Sequence, residues 1–448
     1  MAAVGRGGGR GPGQLRFRAL LDCLAEAVKT LPDERRADRI QQGLRDFYLS
    51  AFALFYLQDP SLLEFQRRLE EQLQRNNLRS VFGIEAIPSD THLREILDWQ
   101  EESRLEGVFR TYLGRMQRSK QLERYQYLDQ GYLVTVDASE YFNSEKVHCS
   151  RCLKRTKSDG TLEYYHQVVQ PAIVNPELRQ VLPLAPQFIR KQDGASKQDC
   201  ETNAAKRLVA ALRREHPQLK AIIVGDGLYS NRPFVATLTS CRFSFLLVAK
   251  PDDHTSLFQD VEGLRRGAML EQVLRPQARD KRFLYEWVNQ IPLGADPTSP
   301  LVNFVQLTIF DAQGKVTYRC SWVTDLPLDS ATVEKVVRAA RARWKIENEG
   351  FNTLKNQGYH LEHNFGHGHH HLSEILFLLN LLAFLVHQIH ELVDLLYQKA
   401  RARFSSRREF WNVIRASFRV LLYNSWDEVL ARITGPPMAA FPQSSPQG

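Results

Sequence analysis

Three acids and one arginine are the groups in this chain whose types and spacing could do chemistry together. Residues 341–355 (RARWKIENEGFNTLK) read as one helix carrying Arg343, Glu347 and a downstream basic residue near a single face. An acid placed among bases suits a group that binds a metal ion while its neighbours hold phosphate. The same i, i+4 spacing also makes a plain surface ion pair, and the charge pattern alone does not choose. Upstream, the short apolar strand 133–136 runs into Asp137, and the buried strand 220–224 ends in Gly225-Asp226-Gly227. An aspartate just past a buried strand is commonly a turn-former or helix cap. Two of them on adjacent strands, followed by the Glu347 helix, make coincidence the weaker reading.

The elements that must position these acids lie between residues 131 and 250. After strand 133–136, residues 146–154 and 162–174 read as a hairpin, joined through Lys157-Ser-Asp-Gly-Thr161 with its Asp-Gly turn signal. Residues 196–216 are helical, with Ala204, Leu208, Ala211 and Leu212 on one face. Strand 220–224, a helical stretch at 233–239 and strand 243–248 follow. Three antiparallel strands and two right-handed crossovers put the fourth strand beside the first, so that Asp137 and Asp226 become neighbours. Between the fifth strand and the Glu347 helix lie roughly 80 residues, too many for a plain connection. Within them 281–291, 301–310 and 315–324 alternate like strands, with Ala312-Gln-Gly314 as a hairpin turn.

The rest of the chain sets bounds. Its 448 residues suffice for two or three domains, and 43% hydrophobic with 25% charged residues is ordinary for a soluble globular protein. A net charge of +8 is compatible with a polyanionic partner without demonstrating one. Six scattered cysteines form no disulfide framework and fit a reducing compartment. MAAVGRGGGRGPG has no apolar run, so no signal peptide is expected. Ile375 to Val386 is the most apolar stretch, too short to span a bilayer, and reads as a buried core helix. No membrane partner is expected. Residues 15–125 read as helices, with Ser89 or Asp90 as the N-cap of one that follows Pro88.

GDGLYSN around Asp226 and RARWKIENEGFNTLKNQGYHLEHNFGHG around Glu347 resemble the DDE transposases of bacterial insertion sequences. More narrowly they are similar to the cut-and-paste branch with a Tyr-Arg-Glu-Lys signature on its last catalytic helix; VTVDASEYF around Asp137 matches less distinctively. The resemblance spans roughly residues 78–395. It implies an α/β, ribonuclease-H-like fold: a mixed five-stranded sheet with helices, an inserted β-rich subdomain and an all-α N-terminal domain. It implies Asp137, Asp226 and Glu347 as the catalytic acids and metal ligands for two Mg²⁺ or Mn²⁺ ions. Arg343, with Lys355 or Lys345, would contact DNA phosphate, and Trp322, with Tyr318 behind it, would stack on a base flipped at the transposon end. Two positions depart from the signature. Its tyrosine is Ala340 here, and Lys355 lies eight residues after Glu347 where seven are expected. Counting from Glu349 restores that spacing but breaks the one to Arg343, so Glu347 is preferred. For Trp322 the bland alternative is a Trp buried in a sheet.

The expected organisation is a disordered basic tail (1–14), a helical DNA-binding domain (15–125) and the first part of the core (126–250). A β-rich insertion (251–328), the catalytic and following helices (329–395), basic C-terminal helices (396–433) and a disordered tail (434–448) complete it. The partners implied are DNA, as terminal inverted repeats and as target, with a homodimer forming on DNA and a cytoplasmic, nucleoid-associated location. Rival readings are a ribonuclease-H-like nuclease without strand transfer and a retired transposase acting as a DNA-binding protein. His148-Cys149-x-x-Cys152 with His166 across the hairpin could bind zinc, but the set is loose and zinc at Cys149/Cys152 is the weaker reading. His363, His367, His369, His370 and His371 read as a polar loop before a metal site. Residues 399–419 mix basic residues with Phe404, Phe410, Trp411 and Phe418, as a DNA-contacting helix pair or an amphipathic helix with a solvated basic face.

Overall fold

The structure, a computed structural model, describes residues 13–33, 35, 40, 42–69, 71–191, 200–277 and 280–435. Most of both expected tails, and residues 196–199 of the expected helix 196–216, lie outside the described residues. The chain forms two compact units. One comprises residues 1–108, 356–360 and 371–448, the other 109–355 and 361–370.

The first unit is helical. Phe17–Lys29, Leu44–Tyr56, Leu62–Leu69, Gln72–Phe82 and Asp90–Asp98 are followed, after the long excursion into the other unit, by Leu372–Val393, Leu395–Ala402, Arg407–Val420 and Trp426–Thr434. Ser89 caps Asp90–Asp98, its hydroxyl accepting from the His92 N–H. Leu372–Val393 is long and apolar enough to cross a membrane, yet 94% of its apolar window is buried. It packs on Leu44–Tyr56 as the core of this unit, as apolar residues on all its faces require. Phe410, Trp411 and Phe418 also turn into this core. Several bases beside them are tied down: Arg407 to Glu391 (3.0 Å), Arg415 to the carbonyls of Leu57 and Gln58, and Arg419 to Glu71. These helices are amphipathic in the ordinary sense, and they join the N-terminal helices in a single unit.

The second unit is built on one 12-stranded sheet, where five strands were expected. The strands are β1 (Gln126–Tyr127), β2 (Gly131–Ser144), β3 (Leu153–Thr156), β4 (Leu162–Val174), β5 (Leu182–Pro183), β6 (Gln187–Ile189), β7 (Ala221–Gly225), β8 (Ser244–Ala249), β9 (Glu271–Pro276), β10 (Arg282–Pro292), β11 (Leu301–Phe310) and β12 (Val316–Thr324). Their main order is β3-β4-β2-β7-β8-β12-β11-β10-β9. β2, β7 and β8 are parallel neighbours and the remaining pairs antiparallel, an arrangement compatible with the ribonuclease-H-like core expected. β7 is buried along its whole length, which is why AIIVG carries no alternation.

Three expectations are corrected. β2 runs on past Asp137 to Ser144, so that Asp137 lies within the strand and residues 145–152 form an irregular loop in place of a strand from 146. β12 pairs antiparallel with β8, so the inserted strands extend the core sheet. The open edge of β8 is a row of unpaired backbone groups, and β12 satisfies it. Residues 341–355 are not one regular helix: Val333–Arg341 is α-helical, Ile346–Phe351 is a π-helix, and Asn352–Asn356 is α-helical again.

Candidate active site

The parallel register of β2 and β7 carries Asp137 to Asp226. Leu133 pairs with Ile222 and Thr135 with Val224. Two residues further along each strand, on the same face, come Asp137 and Asp226. Asp226 sits where β7 breaks into a single 3-10 turn, Gly227–Tyr229, and one of its oxygens accepts the Leu228 N–H at 2.9 Å. The turn-capping role weighed for this residue is real, and it occupies only one oxygen. A Cβ at Gly225 would lie 2.9 Å from the Tyr229 ring, so the residue before the acid must be small to let that ring pack beneath it.

Glu347 reaches the same place from the π-helix. Ile346 and Phe351 bury against Ala172 of β4, whose cross-strand partner is Thr135, two residues before Asp137. Arg343 joins the two elements. Its Nη1 lies 2.6 Å from Glu347 Oε1 and 3.5 Å from Asp137 Oδ2. Glu349 is held elsewhere, by Arg179 at 3.4 Å. Of the two glutamates weighed from the sequence, Glu347 is the one that shares Arg343 with Asp137.

The electrostatics are those of crowded acids. Burial pushes the Asp137 carboxyl up to about 7; Arg343 pulls it down, while Glu347 and Asp226 add to the rise. A fourth carboxylate stands close by. Glu201, in the first turn of helix Glu201–Glu215, accepts the Tyr229 hydroxyl at 2.7 Å. Burial raises its pKa and the Asp226 charge adds to that. Nothing in the sequence singled it out, because it begins a helix of ordinary pattern.

The remaining site candidates scatter. Lys345 donates to the Leu178 carbonyl at 2.8 Å, and burial lowers its pKa. Lys355 pairs with Glu362 at 2.8 Å. Trp322 is fully buried in β12, where it faces Val248 across the β8 pairing, and leaves no ring face for a base. An exposed indole next in sequence to Arg343 is Trp344, 52% accessible. With Pro176, Tyr318, Arg338, Arg341 and Lys345 it lines a groove of about 400 Å³. Arg341 lies over the Tyr318 ring at 5.3 Å. An aromatic and cationic groove of this kind suits a nucleic-acid backbone with a base turned outward.

The histidine run divides. His363 meets Phe365 edge-on, and His371 pairs through Nδ1 with Glu102, near Glu374, in the helical unit. His367 converges instead on Cys149, Cys152 and His166. His148, the nearer candidate by sequence, stacks on Tyr164 at 4.3 Å. Sequence reasoning placed His367 in a polar loop and did not join it to the cysteines, because it lies 215 positions from Cys152.

Residues 178–385 match the family model of the transposase DDE domain, a little under half of the chain. The matched segment contains Asp226 and Glu347, and Asp137 precedes it. The match supports a DDE-type transposase. No curated protein matches the chain.

Proposed function

We propose that this chain is a DDE transposase that cleaves DNA at the ends of a mobile element and joins the freed 3′ hydroxyl to target DNA, with Asp137, Asp226 and Glu347 as its acids. The observation that supports this reading is the neighbourhood of the three. Asp137 and Asp226 each come two residues after the paired Thr135 and Val224, the charges of Asp226 and Glu347 both raise the Asp137 pKa, and Arg343 ties Glu347 to Asp137.

Three carboxylates of this kind fit hard divalent cations, Mg²⁺ or Mn²⁺. The Arg343 guanidinium lying between two of them marks a place that already favours positive charge. Two such ions, when bound, supply an activated water and stabilise the leaving 3′ oxygen. The protein's own groups do the rest. Arg343, which lies between Asp137 and Glu347, would bind a phosphate oxygen near the cleavage point. Arg338, Arg341 and Lys345 hold the strand along the groove. Trp344 takes the base-stacking place that Trp322, buried, does not.

The cut-and-paste branch is part of the same proposal, and two details support it. A π-helix closes i→i+5 hydrogen bonds and so takes up one residue more than an α-turn. The Ile346–Phe351 segment therefore absorbs the extra residue that puts Lys355 eight positions after Glu347. Ala340 offers no hydroxyl, but Tyr318 lies beside Arg341 and Arg343 and could supply the missing phosphate contact. Action as a dimer on paired ends, and location at the nucleoid, belong to this reading as well.

The test uses the full chain, a supercoiled plasmid carrying the element's own inverted repeats, and Mg²⁺ or Mn²⁺. Metal-dependent cleavage and joined products are expected, both lost to background in Asp226→Asn. Cleavage without joining would make the chain a nuclease. Metal-independent binding with no nicking would leave a DNA-binding relic.

A further inference from the structure

We propose that Cys149, Cys152, His166 and His367 form a tetrahedral zinc site that fixes the loop 145–152 and the segment 361–370 to the sheet of the catalytic core. The argument is geometric. Cys149 Sγ and Cys152 Sγ are 3.8 Å apart, and His166 Nε2 lies 3.5 Å from each. His367 Nε2 lies 3.3 Å from Cys152 Sγ, and all four ligand atoms fall within 4.8 Å of one another. With Zn–S near 2.3 Å and Zn–N near 2.05 Å, a regular tetrahedron has S···S and S···N edges of about 3.8 and 3.6 Å. The observed edges match these to within a few tenths of an ångström. A disulfide would need its sulfurs at about 2.05 Å.

The surroundings point the same way. Cys152, His166 and His367 are buried, and Cys149 is half-buried. Two thiolates and a divalent ion sum to zero, which suits a site shielded from water. The Cys149 N–H donates to Cys152 Sγ at 3.4 Å, a bond that favours sulfur as thiolate. The His367 ring packs on Phe142 at 4.1 Å and the His166 ring stacks on Tyr141, so both imidazoles are oriented from behind. Three of the four ligands sit in irregular backbone, and only His166 is in a strand. Irregular segments that converge four soft or borderline ligands on one point are what a structural zinc holds. The segment it fixes begins five residues after the helix Asn352–Asn356, so the site braces the chain leaving Glu347.

This inference is independent of the carboxylate site. Metal analysis of the purified full chain should find one zinc per chain. Replacement by Co²⁺ should give the visible bands of a tetrahedral ion with thiolate charge transfer. His367→Gln should lose or weaken these bands, and His367→Cys should keep the tetrahedral bands with stronger charge transfer. Asp226→Asn should retain full zinc. Should Cys152→Ser fail to fold, His367→Cys decides the matter without it. A chain without zinc, an octahedral cobalt spectrum, or cobalt bands unchanged in both His367 variants would overturn the proposal.

Discussion

Arg343 bridges Glu347 and Asp137, and a cation entering there competes with a guanidinium already in place. Arg343→Gln should therefore bind Mn²⁺ more tightly, by roughly 3- to 30-fold, the scale of one partly screened charge at close range. The same variant should cleave about 10²–10³-fold more slowly, since a group that holds phosphate charge is gone. Titration calorimetry and a nicking assay on one preparation read both; tighter binding with undiminished cleavage would remove Arg343 from the mechanism. Asp137 carries a second prediction. Burial holds its folded pKa near 7 against 3.8 for an ordinary aspartate. The folded chain thus keeps a proton that the unfolded chain gives up between those values, and stability falls as pH rises across the window. In magnesium-free buffer, Asp137→Asn should exceed wild type at pH 8 by on the order of 2–4 kcal/mol, and the gap should close towards pH 4. Urea titrations at both pH values check it. The neighbourhood of Asp137 and Asp226 was legible from the order of the strands, and the Arg343–Glu347 pair from its i, i+4 spacing. The meeting of His367 with the cysteines and the place of Glu201 were not, because those partners are distant in sequence.

Among elements, the π-helix Ile346–Phe351 makes the sharpest claim, since a single extra residue explains it. Deleting the exposed Asn352 should let the turn relax to α while Glu347 and the residues before it keep their places. Its melting temperature should stay at or above wild type. Deleting the buried Ala339, inside Val333–Arg341, rotates a packed face by about 100° and should unfold the core. If both deletions melt alike, the π segment is not an insertion absorbed by the helix. The two tryptophans separate in the same manner. Trp322→Ala empties a packed strand position and should cost ~3–5 kcal/mol. Trp344→Ala should leave stability within ~0.5 kcal/mol and weaken DNA end binding by up to ~1–3 kcal/mol, read by melting and by gel shift. The hairpins could be read in advance because Gly160 and Gly314 take the positive φ their turns require, 84° and 83°. What could not be read was which strand each hairpin would pair with. Alternation in β12 announces a strand with a buried face, but the open edge of β8 is a property of the assembled sheet.

At the scale of the whole molecule, two buried histidines of the helical unit answer to pH in the sense opposite to Asp137. His387 and His390 are buried among Tyr56, Tyr397 and Trp411. His387 Nδ1 meets the Tyr359 hydroxyl at 2.6 Å and His390 Nδ1 meets that of Tyr56 at 3.4 Å. Burial drives both imidazoles below their ordinary value, His390 to about 3. Both rings are therefore neutral in the folded unit at any pH near 7. As pH falls below 6.5 the unfolded chain binds protons that the folded rings refuse, and stability is lost by about 1.4 kcal/mol per pH unit for each. Asp59 works against this in the same unit, because burial lifts it to about 7 beside Arg68. The raw pH profile therefore mixes signs, and the informative quantity is a difference between variants. His390→Leu removes one titrating ring at similar volume and leaves Asp59 in place. Between pH 7.5 and pH 5 wild type should lose about 2 kcal/mol more than this variant, in the unfolding transition reported by the tryptophans of this unit. A constant gap across that range would mean that His390 gains a proton in the folded state, and that the Leu372–Val393 core admits water.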